Sequence, residues 1–137
     1  MDPRLSFVTL AVPDLDAVRR FYVDGLGWPV ELEADGEVIM IRVADKVVLS
    51  LWSEAGFEAE VGPIRRGEGV APITLAHNVG TPDEVDAVLA AARDAGAAHV
   101  APGEHREWGG YSGYFADPAG FRWEVAHNPG PIGRTVL

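Results

Sequence analysis

The sequence of 137 residues contains no cysteine, which excludes disulfide bonds, thiolate metal sites and cysteine nucleophiles. It also lacks any apolar run near the ~20 residues that a membrane-spanning helix needs, so we expect no membrane partner. Its first residues, Met1–Arg4, show neither the basic end nor the apolar centre of a signal peptide. Together these absences predict a cytoplasmic protein.

Basic residues are scarce as well. Eleven Lys and Arg residues stand against 21 Asp and Glu residues, which gives a formal net charge of −10. Affinity for nucleic acid depends on Lys and Arg side chains that neutralise phosphates, so we expect no nucleic-acid partner. The shares of hydrophobic residues, 47%, and charged residues, 23%, are those of an ordinary globular protein. At this length we predict a single domain, residues 1–137.

The chain divides into two halves with the same predicted order of elements, strand-helix-strand-strand-strand. Module 1 covers about 5–52 and module 2 about 72–128. A connecting arm at 53–71, rich in glycine, joins them without regular structure in this prediction. The tail at 129–137 contains two prolines and two glycines and is predicted to be extended or loose.

Strands and helices are predicted from alternation, helical spacing and capping signals. The predicted strands of module 1 are 7–12, 29–33, 37–43 and 46–52, and those of module 2 are 73–79, 98–101, 111–116 and 121–127. Asp14 can cap the first helix, which ends at Gly25. Thr81 and Glu84 form a capping-box pattern at the start of the second helix, which ends at Gly96.

Several runs resemble the vicinal oxygen chelate superfamily, which includes glyoxalase I, bleomycin-resistance proteins and extradiol dioxygenases. The runs are Phe7-Val-Thr-Leu-Ala-Val-Pro-Asp-Leu-Asp, Phe21-Tyr22, Leu26-Gly27 and Tyr114-Phe-Ala-Asp-Pro-Ala-Gly-Phe-Arg-Trp-Glu-Val. They match the opening strand and helix and the closing hairpin of that superfamily, and the resemblance covers almost the whole chain. It implies an α+β fold in which two βαβββ modules form a cupped mixed sheet. It also implies a homodimer.

Metal-dependent members of the superfamily hold their metal with four side chains on four strands that face the cup. The resemblance places these positions at Phe7, Ser50, Pro72 and Glu124. Only Glu124 is a good ligand for a divalent cation, since Phe and Pro donate no lone pair and a serine hydroxyl binds metals poorly. We therefore expect no metal site and no cofactor, with a bound divalent metal as the alternative.

Alternate residues of a strand share one sheet face, so further side chains should accompany Phe7 and Glu124 on the cup side. The expected ligand-binding residues are Phe7, Thr9, Ser50, Trp52, Thr74, Asn78, Trp108, Tyr111 and Arg122. Residues of the other parity should pack under the helices: Val8, Leu10, Val12, Leu49, Leu51, Ile73, Leu75, Phe121, Trp123 and Val125. Trp108 and Tyr111 could stack on a planar ligand or simply pack at an edge, and Tyr114 is predicted to pack.

Glu124 allows two interpretations. In an apolar cup it could serve as a general base or acid, or it could form an ion pair with Arg122. The leading hypothesis is a protein that binds a small aromatic or amphipathic molecule, for sequestration or resistance, without chemistry. The alternative is a glyoxalase-like lyase or isomerase that uses Glu124 as its catalytic base, with or without a metal. A third hypothesis is a partner protein whose cup is vestigial.

Overall fold

The computed structural model describes residues 1–137, which form two compact units, Met1–Glu68 and Gly69–Leu137. Each unit contains one four-stranded mixed sheet and one of the two predicted βαβββ modules, so the predicted α+β class is confirmed. None of the helices combines the length and the apolar character that crossing a membrane requires.

Unit 1 begins with a strand, continues through a helix and returns to the sheet. Its elements are β1 (Phe7–Val12), α1 (Leu15–Arg19) with a π-helical continuation (Arg20–Gly25), β2 (Val30–Ala34), β3 (Val38–Ala44), β4 (Val47–Ser53) and α2 (Glu54–Glu60). The strand order is β1-β4-β3-β2. β1 runs parallel to β4, and the other pairs are antiparallel.

The first helix forms where the sequence predicts it. Asp14 Oδ1 accepts a hydrogen bond from the Ala17 amide at 2.9 Å, which satisfies one free N–H of the first turn. Val18, Phe21 and Tyr22 are buried on the face that packs against the sheet. The sheet residues of the predicted helix side are buried with them, at 0–3% exposure: Leu10, Val12, Leu49 and Leu51.

Unit 2 repeats this order. Its elements are β5 (Thr74–Asn78), α3 (Pro82–Asp94), β6 (Ala98–His105), β7 (Tyr111–Ala116), β8 (Arg122–His127) and α4 (Pro131–Arg134). The strand order is β5-β8-β7-β6, and β5 is parallel to β8. The sheet therefore has the same arrangement as the sheet of unit 1.

The predicted capping box opens α3. Thr81 Oγ1 accepts from the Glu84 amide at 3.2 Å, and Glu84 Oε2 accepts from the Thr81 amide at 2.9 Å. The helix buries Val85, Leu89 and Ala92 against the sheet. This reciprocal pair and the apolar face explain why α3 is the longest helix of the chain.

The structure corrects four sequence predictions in these regions. The arm is not wholly irregular, because Ser53 Oγ accepts from the Gly56 amide at 3.2 Å and starts α2. β6 runs beyond the predicted 98–101 to His105, since an edge strand with two register shifts tolerates Pro102. The tail contains the short helix α4, and Ile73, predicted to pack under a helix, is 41% exposed.

Candidate functional site

Each sheet carries its βαβββ helix on one face, and most of the predicted ligand residues lie on the opposite face. We define the unit 1 face by Phe7, Thr9, Ala11, Met40, Ser50 and Trp52, which alternate with the buried core residues of their strands. Strand register places Thr9, Ser50 and Met40 side by side. Phe7 stands at the start of the edge strand and is 52% exposed.

Ser50 is the unusual residue of the unit 1 face. It is 1% exposed, yet its hydroxyl has no hydrogen-bond partner. Buried polar side-chain atoms almost always have a partner, and an unpaired one costs about 1–3 kcal/mol. The structure thus places this predicted ligand residue in a buried position, with its hydroxyl unpaired.

Helix α2 packs against β1 and β4, beside Trp52. The Phe57 ring meets the Trp52 ring edge to face, with centroids 6.4 Å apart. Arg66 binds both carboxylate oxygens of Glu54, at 3.2 and 2.9 Å, and thereby ties the arm to the start of α2. No residue of α2 is buried, so this helix only partly shields Trp52.

The second candidate surface lies on the sheet of unit 2, opposite α3. We define the unit 2 face by Thr74, Ala76, Asn78, Ser112, Tyr114, Ala116, Arg122, Glu124 and Ala126. The register places Thr74, Arg122 and Ala116 in one row. Ala76, Glu124 and Tyr114 form the next row. The structure therefore brings the predicted Thr74, Asn78, Arg122 and Glu124 together on one face.

Tyr114 and Glu124 form the central contact of the unit 2 face. The Tyr114 hydroxyl donates to Glu124 Oε1 at 2.9 Å, directly across the β7–β8 pair. Burial, together with the bond to Glu124, raises the pKa of the Tyr114 hydroxyl. Tyr114 therefore remains a protonated donor at neutral pH and holds one of the two carboxylate oxygens.

Arg106, which the sequence did not single out, fixes the other side of Tyr114. Its Nε donates to Ser112 Oγ at 3.0 Å and its Nη2 to the Ser112 carbonyl at 2.8 Å. Its guanidinium carbon lies 5.8 Å from the centre of the Tyr114 ring, within the range of a cation–π contact. Nη1 also contacts Glu104 at 3.3 Å.

An ion pair with Arg122, one of the two interpretations of Glu124, does not form. Residues two apart on a strand stand roughly 7 Å apart and point the same way. A side chain directly opposite on the neighbouring strand is closer, roughly 5 Å between Cβ atoms. Tyr114 occupies that opposite position and takes the carboxylate, which leaves Arg122 partly buried and without a polar partner.

Two predicted aromatic ligand residues are not brought beside Glu124. Tyr111 has the parity of the α3 side, and its hydroxyl donates to the Asp86 carboxylate at 3.0 Å. Its ring also meets the His105 ring, with centroids 5.1 Å apart. Trp108 lies in the turn between β6 and β7, 52% exposed, with its ring folded against Gly110, where a Cβ atom would clash with it.

Known proteins resemble this chain in sequence and in fold. The family model of the Glyoxalase/Bleomycin resistance protein/Dioxygenase superfamily matches residues 4–125. The chain belongs to this superfamily. A glyoxalase-related enzyme from Fulvimarina pelagi is 32% identical with a TM-score of 0.82, and the match covers 93% of this chain and 89% of that one. The resemblance stated from the sequence is therefore confirmed.

Two further solved structures share the fold. A glyoxalase/bleomycin resistance protein/dioxygenase from Nocardioides is 22% identical with a TM-score of 0.77, over 95% of this chain and 89% of that one. A lactoylglutathione lyase from Agrobacterium tumefaciens is 24% identical with a TM-score of 0.70, over 93% and 95%. At these identities the likeness shows the fold alone. No curated protein matches the chain.

The side chains at the superfamily's metal positions do not fit a divalent metal. The positions that the resemblance implies are Phe7 and Ser50 in unit 1 and Pro72 and Glu124 in unit 2. Glu124 is the one strong oxygen donor among them, and Tyr114 already binds one of its oxygens. No group of three His, Asp or Glu side chains in the chain is arranged to hold a metal ion. We therefore derive no chemistry through a metal.

Proposed function

We propose that this superfamily member binds a small aromatic or amphipathic molecule without a metal ion, as a sequestering or resistance-type protein. The unit 2 face carries this proposal, because it combines Arg122, which has no protein partner, with Glu124, which Tyr114 holds in place. A few fixed polar groups among small and apolar side chains are typical of ligand sites.

The shape of the unit 2 face also supports a bound molecule. Small side chains, Ala76, Ala116 and Ala126, separate the long ones in the register rows. Ala76 is exposed on the edge strand β5, directly opposite Glu124. Ala116 and Ala126 are buried, so a ligand would find room above Ala76, beside Glu124.

One observation favours a lyase or isomerase as the second candidate. Tyr114 binds only Oε1 of Glu124, so Oε2 could still accept a proton from a substrate. The Tyr114 hydroxyl, whose raised pKa keeps it protonated, could give a proton back. A carboxylate and a phenol in contact can act as the base and the acid of such a reaction.

A thermal-shift screen of small aromatic and amphipathic compounds tests the proposal. Each compound that binds is titrated against the wild type and two matched variants. Ala76→Phe places a ring on the unit 2 face, whereas His77→Phe places the same ring at the next, also exposed residue, on the other face. We expect Ala76→Phe to weaken binding at least tenfold and His77→Phe to leave it unchanged.

Recovery of the compound then separates the two candidates. A binding protein returns the compound unchanged. Conversion that is lost in Glu124→Gln, while the variant keeps its melting temperature, would favour the lyase or isomerase. Binding that Ala76→Phe does not weaken would contradict the assignment of the unit 2 face.

The homodimer implied by the resemblance belongs to this proposal. Each sheet ends in edge strands, β1 and β2 in unit 1 and β5 and β6 in unit 2, and exposed edges favour pairing with another chain. Light scattering at micromolar concentration should give twice the mass of one chain. A monomer under these conditions would contradict the dimer.

A further inference from the structure

Arg122 differs from every other arginine of the chain. The other arginines that lack a hydrogen bond or ion pair are exposed: Arg4, Arg20, Arg65 and Arg93. The other arginines that are partly buried, Arg19 and Arg106, bind carboxylates. Arg122 alone is both partly buried and unpaired.

The surroundings explain why no protein group neutralises it. In its register row it is flanked by the Thr74 hydroxyl and by Ala116. Glu124 stands two residues further along β8, but its carboxylate accepts from Tyr114. A guanidinium partly removed from water without a counter-charge is costly, which is why buried charges are normally paired.

We infer that Arg122 receives the carboxylate of the bound molecule, so that the ligand class is a small aromatic carboxylic acid. The planar guanidinium fork matches a carboxylate with two parallel hydrogen bonds. Thr74 offers a further donor in the same row, and the exposed Ala76 in the next row leaves space for the apolar part of the acid. This inference rests on the proposed function, whose ligand it specifies.

The test compares benzoate with benzamide, which has the same shape without the charge. Dissociation constants are measured by ¹⁵N NMR titration of the wild type, of Arg122→Gln and of the control Arg93→Gln. Arg93 is exposed in the last turn of α3 and has no polar partner. We expect the wild type and the control to prefer benzoate at least tenfold, and Arg122→Gln to bind both compounds alike. Thermal melting of each variant confirms that it is folded.

Other outcomes overturn the inference in distinguishable ways. If benzamide binds as well as benzoate and Arg122→Gln changes neither, the face binds aromatic molecules and the carboxylate assignment is wrong. If neither compound binds and the wider screen also finds nothing, the proposed function fails together with the inference. If inorganic phosphate displaces benzoate at equal concentration, Arg122 accepts any oxyanion and the assignment to carboxylic acids is wrong.

Discussion

Replacing Tyr114 by Phe removes one oxygen from the unit 2 face and leaves the ring in place. The lost hydrogen bond joins the phenol to Glu124 Oε1 at 2.9 Å in a partly buried position. Bonds to charged groups contribute about 1.5–3 kcal/mol when well shielded. Because both side chains are partly exposed and water can replace the phenol, we expect a loss of about 1 kcal/mol in the free energy of unfolding.

Urea unfolding at pH 8, followed by circular dichroism, measures this loss. With an m-value of about 1.5 kcal/mol per molar urea for a chain of this size, the midpoint should fall by about 0.7 M. The slope should stay the same, because the substitution removes no buried apolar surface.

The pH dependence provides a second readout of the same bond. The pKa of the Tyr114 hydroxyl is raised in the folded state above its ordinary value of 10.0, by burial first and then by the hydrogen bond to Glu124. The contribution of the Tyr114 hydroxyl to the free energy of unfolding is therefore complete below pH 10, and it is lost as the pH rises through the folded-state pKa. The stability difference between wild type and Tyr114→Phe should shrink above pH 10.

Tyr111→Phe is a matched comparison, and its stability difference from the wild type should also shrink above pH 10. It removes the other hydrogen-bonded tyrosine hydroxyl of β7, which lies on the α3 side against Asp86 and whose pKa is also raised. A Tyr114→Phe variant as stable as the wild type at pH 8, with an unchanged alkaline profile, would refute the assigned bond to Glu124.

Two further substitutions test the packing of the sheets. Ser50→Ala removes a buried hydroxyl without a partner, so it should raise the free energy of unfolding by about 1 kcal/mol in urea titrations; a loss of that size would show that the hydroxyl has a partner. Gly113→Ala should lower the free energy of unfolding by about 2 kcal/mol, because its Cβ would stand 2.8 Å from the Ala101 carbonyl oxygen and 2.9 Å from the Pro102 carbonyl carbon. An unchanged melting temperature for Gly113→Ala would contradict this close approach of β6 and β7.

The elements that local sequence determines were predicted well. All eight strands were predicted, and alternation is clearest in strands such as β3 and β8, where one face is more buried than the other. Thr81 and Glu84 identified the start of α3, because a capping box joins residues only three apart. Strand parity also placed Arg122 and Glu124 on one face.

Features that depend on contacts between distant residues were missed. The arm was predicted to lack regular structure, and α2 was missed. The contact of the Phe57 ring with the Trp52 ring cannot be inferred from the glycine-rich sequence of the arm. Arg106 reaches the unit 2 face from a turn. The alternation of side chains along a strand does not predict which way a side chain in a turn points.

The Tyr114 contact and the side of Tyr111 could have been predicted. Counting outward from the Asp117 turn pairs residue 116 with 122 and therefore Tyr114 with Glu124. The same count gives Tyr111 the parity of Phe115, which lies on the side of α3. Glu124 contacts Tyr114 and not Arg122 because a cross-strand neighbour stands closer than a residue two positions along the same strand.

We propose that this superfamily member binds its ligand without a metal, and metal content tests this proposal most directly. The protein is purified without chelator or affinity tag, analysed by mass spectrometry, and melted with added Ni²⁺, Mn²⁺, Zn²⁺ and Fe²⁺. Because Phe7 and Pro72 offer no donor at two metal positions, we expect no stoichiometric metal and no shift in melting temperature. One equivalent of metal per chain would contradict the account and would favour a metal-dependent lyase or dioxygenase.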